Sequence, residues 1–152
     1  MFLNDDYKDM LSALNEAGVD YLLVGAYALA AHGNPRATGD IDFWVRPTPE
    51  NAARVWDAIV AFGAPRSGIT MDDFTLPDTI FQIGVAPCRI DLITSISGVD
   101  FDEAWAERKH TVLDGVQVCV VSVMHLIANK RAAGRPKDLA DAHWLEKMRG
   151  KK

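Results

Sequence analysis

The chain has 152 residues and a formal net charge of −5 at pH 7, from 16 basic and 21 acidic residues. Its 49% hydrophobic and 24% charged content is ordinary for a globular protein and excludes a disordered or collagen-like chain. The negative charge argues against a protein that binds nucleic acid over its whole surface. We therefore expect one globular domain over residues 1–152.

No targeting or membrane-spanning signal is apparent in the sequence. The first residues, Met1 to Asp9, include acids and no apolar stretch of signal-peptide length, and no run approaches the roughly 18 apolar residues of a membrane helix. Cys88 and Cys119 lie in strand-like segments without the spacing of a zinc site. These features predict a cytoplasmic protein with no membrane partner, whose cysteines are reduced thiols in the core.

The first predicted elements are a helix, a strand and a second, short helix. Asn4 or the residue after it can cap the first helix, whose apolar residues recur with helical spacing until Gly18 ends it. The apolar residues Tyr21 to Val24 predict a strand that is buried on both faces. The strand breaks at Gly25, and Tyr27 to Ala31 predicts the short helix.

Two aspartates on the next predicted strand form the most informative motif. In the segment from Asp40 to Val45, Asp40, Asp42 and Trp44 face one side, and the apolar residues between them face the other. Side chains at i and i+2 of a strand start about 7 Å apart, so the carboxylates can bracket two divalent cations about 4 Å apart. Two solvated aspartates on an exposed strand would give the same short pattern. Trp44 either stacks on a nucleobase or packs in the core.

The surroundings of this motif resemble a known family. Two segments look like the signature of the nucleotidyltransferase fold superfamily, namely the turn Gly25-Ala26 and the run Arg36-x-Thr38-x-Asp40-Ile41-Asp42. The match is to small bacterial members, the minimal nucleotidyltransferases and the toxin-type enzymes of toxin–antitoxin and abortive-infection systems. The resemblance implies an α/β fold with a mixed, twisted sheet flanked by helices. It also implies that the glycine turn contacts nucleotide phosphates and that the paired acids hold magnesium.

One position departs from this family pattern. The family usually has Gly-Gly or Gly-Ser at the turn, whereas this chain has Ala26 after Gly25. Backbone N–H groups at the start of the following helix can still bind phosphate, so the change predicts weaker binding of the nucleotide donor. It also favours a second hypothesis, in which the protein is a catalytically weak or inactive nucleotide-binding or antitoxin-like module.

The middle of the chain predicts a crossover helix followed by two strands. Thr48, followed by a proline, opens a helix that Gly63 ends. Residues 67–78 are polar and rich in turn residues, which predicts an irregular segment. Residues 79–85 and 89–94 then predict a hairpin.

A third aspartate lies on the second strand of this hairpin. Asp91 faces the same side as Arg89, and an ordinary edge-strand acid paired with that arginine would explain it. If the strand lies beside that of Asp40, about 5 Å away, Asp91 joins the acidic face. The resemblance then implies that Asp91 completes the metal site and accepts the proton of the attacking hydroxyl.

The C-terminal part predicts a short helix at residues 100–107, a hairpin around an Asp-Gly turn, and a helix pair over residues 122–149. In this pair Lys130 lies on an apolar stripe, where a lysine either extends along the surface or binds a ligand. Asp138 and Asp141 share one face of the second helix, and Asp138 also complements the helix dipole.

The segment from Lys130 to Asp141 resembles the C-terminal motif of toxin-type nucleotidyltransferases. The resemblance implies that Lys130 binds the nucleotide, with Asp138 assigned to catalysis and Asp141 to nucleotide binding. The sequence leaves open which of the two acids faces the cleft.

Together these residues predict an enzyme that uses two Mg²⁺ ions to transfer a nucleoside monophosphate from a nucleoside triphosphate to a hydroxyl. The acceptor is an RNA end or a protein side chain, with a small cationic antibiotic as a third class, and a cognate antitoxin is an expected partner. Residues 130–152 carry eight basic residues against three acids, a net of +5, while the remainder carries −10. This charge favours RNA, for which we expect a cation track made of Lys130, Arg131, Arg135 and Lys137.

Overall fold

The computed structural model of the protein describes residues 3–149. Met1 and two lysines of the basic C-terminal segment, Lys151 and Lys152, lie outside the described part. In chain order the elements are α1 (Asp5–Glu16), β1 (Tyr21–Val24), α2 (Gly25–Ala31), β2 (Asp40–Val45), α3 (Pro49–Phe62), a 3₁₀ helix (Met71–Thr75), β3 (Ile80–Ile83), β4 (Arg89–Ile93), α4 (Phe101–Ala106), β5 (Lys109–Leu113), β6 (Val116–Val120), α5 (Val123–Ala133) and α6 (Pro136–Arg149).

Local capping determines where the longer helices begin and end. The side chains of Asn4, Thr48 and Ser122 each accept a hydrogen bond from the backbone N–H three residues later. Each of these bonds satisfies an N–H group that has no partner within its helix. Helices α3 and α5 end at Gly63 and Gly134, which adopt the left-handed conformation that closes a helix at little steric cost.

The six strands form one mixed sheet in the order β3-β4-β2-β1-β6-β5. Strand β2 pairs antiparallel with β1 and parallel with β4, and β1 pairs parallel with β6. The outer strands β3 and β5 pair antiparallel with their neighbours. The predicted α/β fold with a mixed sheet flanked by helices is therefore confirmed.

The core lies along the central strands and the helices that pack on them. All four residues of β1 are buried, as the uninterrupted apolar run predicts. In β2, Ile41 and Phe43 are buried, whereas Asp40 and Asp42 are only half-buried. Helix α2 packs against β1 and β2, α1 packs against α3, and α5 packs against α6. The polar face of β2 thus remains accessible at its first residues.

Two boundaries differ from the sequence predictions. Helix α2 begins at Gly25, directly after the strand, two residues earlier than predicted. The segment predicted as irregular contains the 3₁₀ helix, which is held by the buried side chain of Phe74. Within residues 3–149, none of the helices has both the length and the apolar character needed to span a membrane.

Candidate active site

Three strand ends meet at one edge of the sheet. Because β1 runs antiparallel to β2 and β2 runs parallel to β4, the end of β1 lies beside the starts of β2 and β4. Asp42 lies opposite Asp91 in the β2–β4 ladder. One carboxylate oxygen from each of Asp40, Asp42 and Asp91 lies within 4.8 Å of the others. The fold thus brings together the three carboxylates that were predicted as metal ligands.

The electrostatics of this cluster centre on Asp42. Burial raises the pKa of Asp42, and a hydrogen bond with Asp91 and the negative charges of Asp40 and Asp91 raise it further. The positive charge of Arg89 acts in the opposite direction but does not cancel these effects. The resulting pKa is about 8, which means that the metal-free cluster retains a proton at neutral pH. A divalent cation bound by these oxygens would favour the deprotonated form of Asp42, because its positive charge offsets the negative charges of the three carboxylates.

The local geometry requires glycine at position 25, in the predicted phosphate turn. Gly25 has a φ of +71°, a conformation that residues with a side chain rarely adopt. A Cβ atom at this position would overlap Oδ2 of Asp42 and also press on its Cγ. The backbone therefore approaches the Asp42 carboxylate more closely than any other residue type would permit.

The loop between α2 and β2 connects the acidic cluster to the C-terminal helices. Thr38 Oγ1 donates a hydrogen bond to Oδ1 of Asp40 at 2.9 Å. Two residues earlier, Arg36 Nη2 donates to Oδ1 of Asp141 on α6 at 2.6 Å. The side chain of Thr38 thus positions Asp40, and that of Arg36 ties the loop to α6.

A second charged cluster lies between α5 and α6. Lys130 Nζ lies 3.3 Å from Oδ2 of Asp141 and 3.6 Å from Oδ1 of Asp138. All three residues are buried, and Arg135 Nε donates to Oδ2 of Asp138 at 2.6 Å. Burial raises the pKa of Asp138, but the hydrogen bond and charge of Arg135 and the charge of Lys130 outweigh it and hold the pKa below its usual range. Both acids therefore face Lys130 between α5 and α6.

Replacing Lys130 with methionine is expected to lower the free energy of unfolding by about 3 kcal/mol, because two buried carboxylates lose a shared cation. Urea unfolding at neutral pH measures this loss. The matched control is Lys137→Met, since Lys137 is an exposed lysine of the same helix pair, and we expect it to change stability by less than about 0.5 kcal/mol. Equal effects of the two substitutions would contradict a structural role for Lys130.

The structure selects the core alternative for Trp44 and corrects the prediction for the cysteines. Trp44 is 1% exposed, its Nε1 donates to the carbonyl of Thr94 at 3.2 Å, and its ring packs edge-on against Phe101 of α4. Asp40, Asp42 and Trp44 lie on the same face of β2. This face is open at the two aspartates, but α4 covers it at Trp44. Trp44 therefore packs in the core and does not stack on a nucleobase. Cys88 is exposed in the β3–β4 loop and is not a core thiol, while Cys119 is half-buried.

The predicted cation track is largely occupied by ion pairs within the chain. Lys130 is buried against its two acids, Arg131 pairs with Glu146 across the α5–α6 interface, and Arg135 pairs with Asp138. Counting basic residues along the sequence could not reveal these pairings, because they depend on how the two helices pack. Of the four residues of the track, Lys137 is exposed and the other three are paired, so less positive charge is free for a polyanionic acceptor than the sequence predicted.

Arg89 lies beside the acids, and the sequence predicted only one of its two contacts with them. Its Nε donates to Oδ1 of Asp91 at 3.0 Å, the pairing expected for neighbours on one strand face. Its Nη2 also donates to Oδ2 of Asp40 at 3.0 Å. This second contact follows from the β2–β4 register, in which Asp40 and Arg89 are partners.

Solved structures share this fold at low sequence identity. A candidate nucleotidyltransferase from Thermotoga maritima aligns over 99% of this chain and 97% of its own, with a TM-score of 0.61 and 13% identity. An antigenic nucleotidyltransferase-like protein from Paracoccidioides brasiliensis aligns over 94% of this chain and 75% of its own, with a TM-score of 0.52 and 16% identity. At such identities the likeness establishes the fold alone, which is the nucleotidyltransferase fold.

Sequence comparison places the chain more specifically. No protein of curated function matches it significantly. The sequence profile of the family described as nucleotidyl transferase of unknown function (DUF2204) matches residues 3–151. Because this match covers nearly the whole chain and the three acids of the cluster lie within it, the protein belongs to this nucleotidyl transferase family.

Proposed function

We propose that this protein transfers a nucleoside monophosphate from a nucleoside triphosphate to a hydroxyl group, with release of pyrophosphate, in a reaction that depends on magnesium. The observation that carries the proposal is the group formed by Asp40, Asp42 and Asp91, whose oxygens lie within 4.8 Å of one another beside Gly25. Membership of the family supports nucleotidyl transfer in general. The metal, the acceptor and the biological setting are our own extension of that finding.

We assign two magnesium ions to this donor set. All the available ligand atoms are hard carboxylate oxygens, which Mg²⁺ prefers, and they line one accessible edge of the sheet. Burial raises the pKa of Asp42 most, and the neighbouring charges of Asp40 and Asp91, which divalent cations would neutralise, raise it further. When bound, the two ions would neutralise the triphosphate and lower the pKa of the acceptor hydroxyl.

The remaining roles belong to the chain's own side chains and backbone. Gly25 and Ala26 would bind the triphosphate through backbone N–H groups at the start of α2, where the missing side chain of Gly25 brings the backbone close to the Asp42 carboxylate. Asp91 would accept the proton of the attacking hydroxyl. Lys130 would add positive charge to the nucleotide site from the α5–α6 cluster, where Asp138 and Asp141 hold it in place.

Arg36 and Thr38 would hold the loop that borders the nucleotide. Their hydrogen bonds to Asp141 and Asp40 connect the α5–α6 cluster with the acidic edge of the sheet. A nucleotide bound between these two sets of acids would contact this loop directly. We therefore assign both residues to nucleotide binding through the position of the loop.

The acceptor is proposed as an RNA end or the hydroxyl of a protein side chain. The ion pairs of Arg131 and Arg135 reduce the argument for RNA that the sequence provided. Lys147 and Arg149 at the end of α6 remain exposed. A role in the cytoplasm within a toxin–antitoxin system, with a cognate antitoxin as partner, belongs to the same proposal.

Nucleoside triphosphate is expected to raise the melting temperature by about 5 °C or more at saturation, but only when Mg²⁺ is present. Without a metal ion the remaining negative charge of the acidic cluster repels the triphosphate. A thermal scan with and without Mg²⁺, repeated on Asp42→Asn, measures the effect. Equal shifts in magnesium and in chelator would contradict metal-dependent binding.

The transfer itself is tested with triphosphates labelled at the α-phosphate, incubated with Mg²⁺ and either total RNA or purified candidate protein partners. Label retained on an acceptor identifies nucleotidyl transfer, and the same reaction with γ-label excludes phosphoryl transfer. Magnesium-dependent stabilisation without label on any acceptor would favour a nucleotide-binding module that lacks catalysis.

A further inference from the structure

Arg89 occupies the fourth corner of the acidic face. Strands β2 and β4 run parallel and about 4.8 Å apart, with Asp40 beside Arg89 and Asp42 beside Asp91. Side chains two residues apart on a strand share a face, so all four of these side chains point to the same side of the sheet. Three corners of this square carry carboxylates, and the fourth carries a guanidinium.

The guanidinium already uses the oxygens that a metal would need. Arg89 Nη2 lies 3.0 Å from Oδ2 of Asp40 and 3.2 Å from Oδ2 of Asp91, and Nε lies 3.0 Å from Oδ1 of Asp91. The hydrogen bond and charge of Asp91 hold the pKa of Arg89 above its ordinary value. Two of the three carboxylates therefore have a cation partner without any metal.

This arginine is placed so that it can leave. About one third of its side chain is exposed, at 34%, whereas Asp91 is 8% exposed by the same measure. The Asp91 carboxylate is buried, whereas the arginine side chain is partly open to solvent. Rotation of the side chain into water breaks its hydrogen bonds to Asp40 and Asp91, but it leaves the guanidinium solvated, so a bound divalent cation can offset the loss.

We propose that Arg89 is a built-in counter-cation that divalent metal must displace from Asp40 and Asp91. The inference rests on the metal-dependent function proposed above and adds a competition within the site. Arg89 stabilises the clustered acids when metal is absent, and it lowers the affinity of the site for metal alone. The residue acts through the metal ligands, so it is a positioning residue.

The competition predicts the effect of removing the charge. Arg89→Gln should bind Mn²⁺, used as a spectroscopic substitute for Mg²⁺, about tenfold more tightly than the wild type, because no cation opposes the metal. Arg89→Lys keeps the charge and should restore an affinity close to that of the wild type. Arg54→Gln removes an exposed positive charge on α3 and should leave the affinity unchanged. Free Mn²⁺ is followed by electron paramagnetic resonance on chelator-treated protein without nucleotide.

The same variants are compared by thermal melting in chelator. Arg89→Gln should melt at a lower temperature than the wild type and Arg54→Gln, because Asp40 and Asp91 lose their shared partner, and Mn²⁺ should restore more stability to it than to the wild type. If the wild type binds Mn²⁺ and Arg89→Gln binds it equally or more weakly, the counter-cation role is overturned while the metal site stands. If no variant binds Mn²⁺, the metal-dependent function fails together with this inference.

Discussion

Replacing Asp42 with asparagine is expected to abolish nucleotidyl transfer while making the metal-free protein more stable at neutral pH. Asp42 is the acid that lies between the other two, adjacent to Asp40 along β2 and opposite Asp91 in β4. Loss of its charge removes several kcal/mol of transition-state stabilisation, which corresponds to a rate loss of about a thousandfold or more. Transfer of α-labelled nucleotide under single-turnover conditions measures this loss.

The gain in stability follows from the direction of the pKa shift. The pKa of Asp42 is raised from 3.8 to about 8, so the folded protein holds a proton that the unfolded chain has released. The free energy of unfolding of the metal-free wild type should therefore fall as the pH rises from about 4 to about 8. Asparagine has no proton to release in this range, so the free energy of unfolding of the Asp42→Asn variant should vary less with pH across this window.

Urea unfolding in chelator at several pH values compares the two proteins. At neutral pH we expect Asp42→Asn to be more stable by about 1 kcal/mol or more, and we expect Mg²⁺ to stabilise the wild type but not the variant. A variant that unfolds more easily than the wild type at pH 7 would mean that Asp42 has a structural role, and its loss of activity would then carry no information about catalysis.

Replacing Gly25 with alanine is expected to have the second large effect, on both stability and activity. The new Cβ would adopt an unfavourable φ of +71° and would also overlap the Asp42 carboxylate. We expect a loss of about 3 kcal/mol in the free energy of unfolding, of which about 1 kcal/mol comes from the backbone conformation. Displacement of Asp42 by even about 1 Å should reduce transfer about a hundredfold.

Two comparisons separate the causes of this effect. Gly18 has a nearly identical φ of +69°, but no atom lies within 4 Å of the place that its Cβ would occupy, so Gly18→Ala measures the backbone cost alone. In an Asp42→Ala background the overlapping carboxylate is absent, and the cost of Gly25→Ala should fall to that of Gly18→Ala. An unchanged cost in that background would show that the collision with Asp42 is not the reason for the glycine.

Much of the local structure could be predicted from the residues in order. Asn4, Thr48 and Ser122 cap their helices because a side-chain oxygen near a free N–H group acts over a few residues. Asp40 and Asp42 share a face because strand side chains alternate with a period of two. These interactions join near neighbours, so the amino-acid pattern is sufficient to predict them.

The contacts of the candidate site depend on the tertiary structure. Arg89 meets Asp40 across 49 positions of sequence, and Arg36 meets Asp141 across 105, because parallel pairing and helix packing bring distant segments together. The same packing buries Trp44 under α4 and pairs Arg131 with Glu146. The pattern of a strand indicates which of its side chains share a face. The register between β2 and β4 decides which charges neutralise each other. This register depends on contacts among many residues that are distant in sequence, so one segment cannot reveal it.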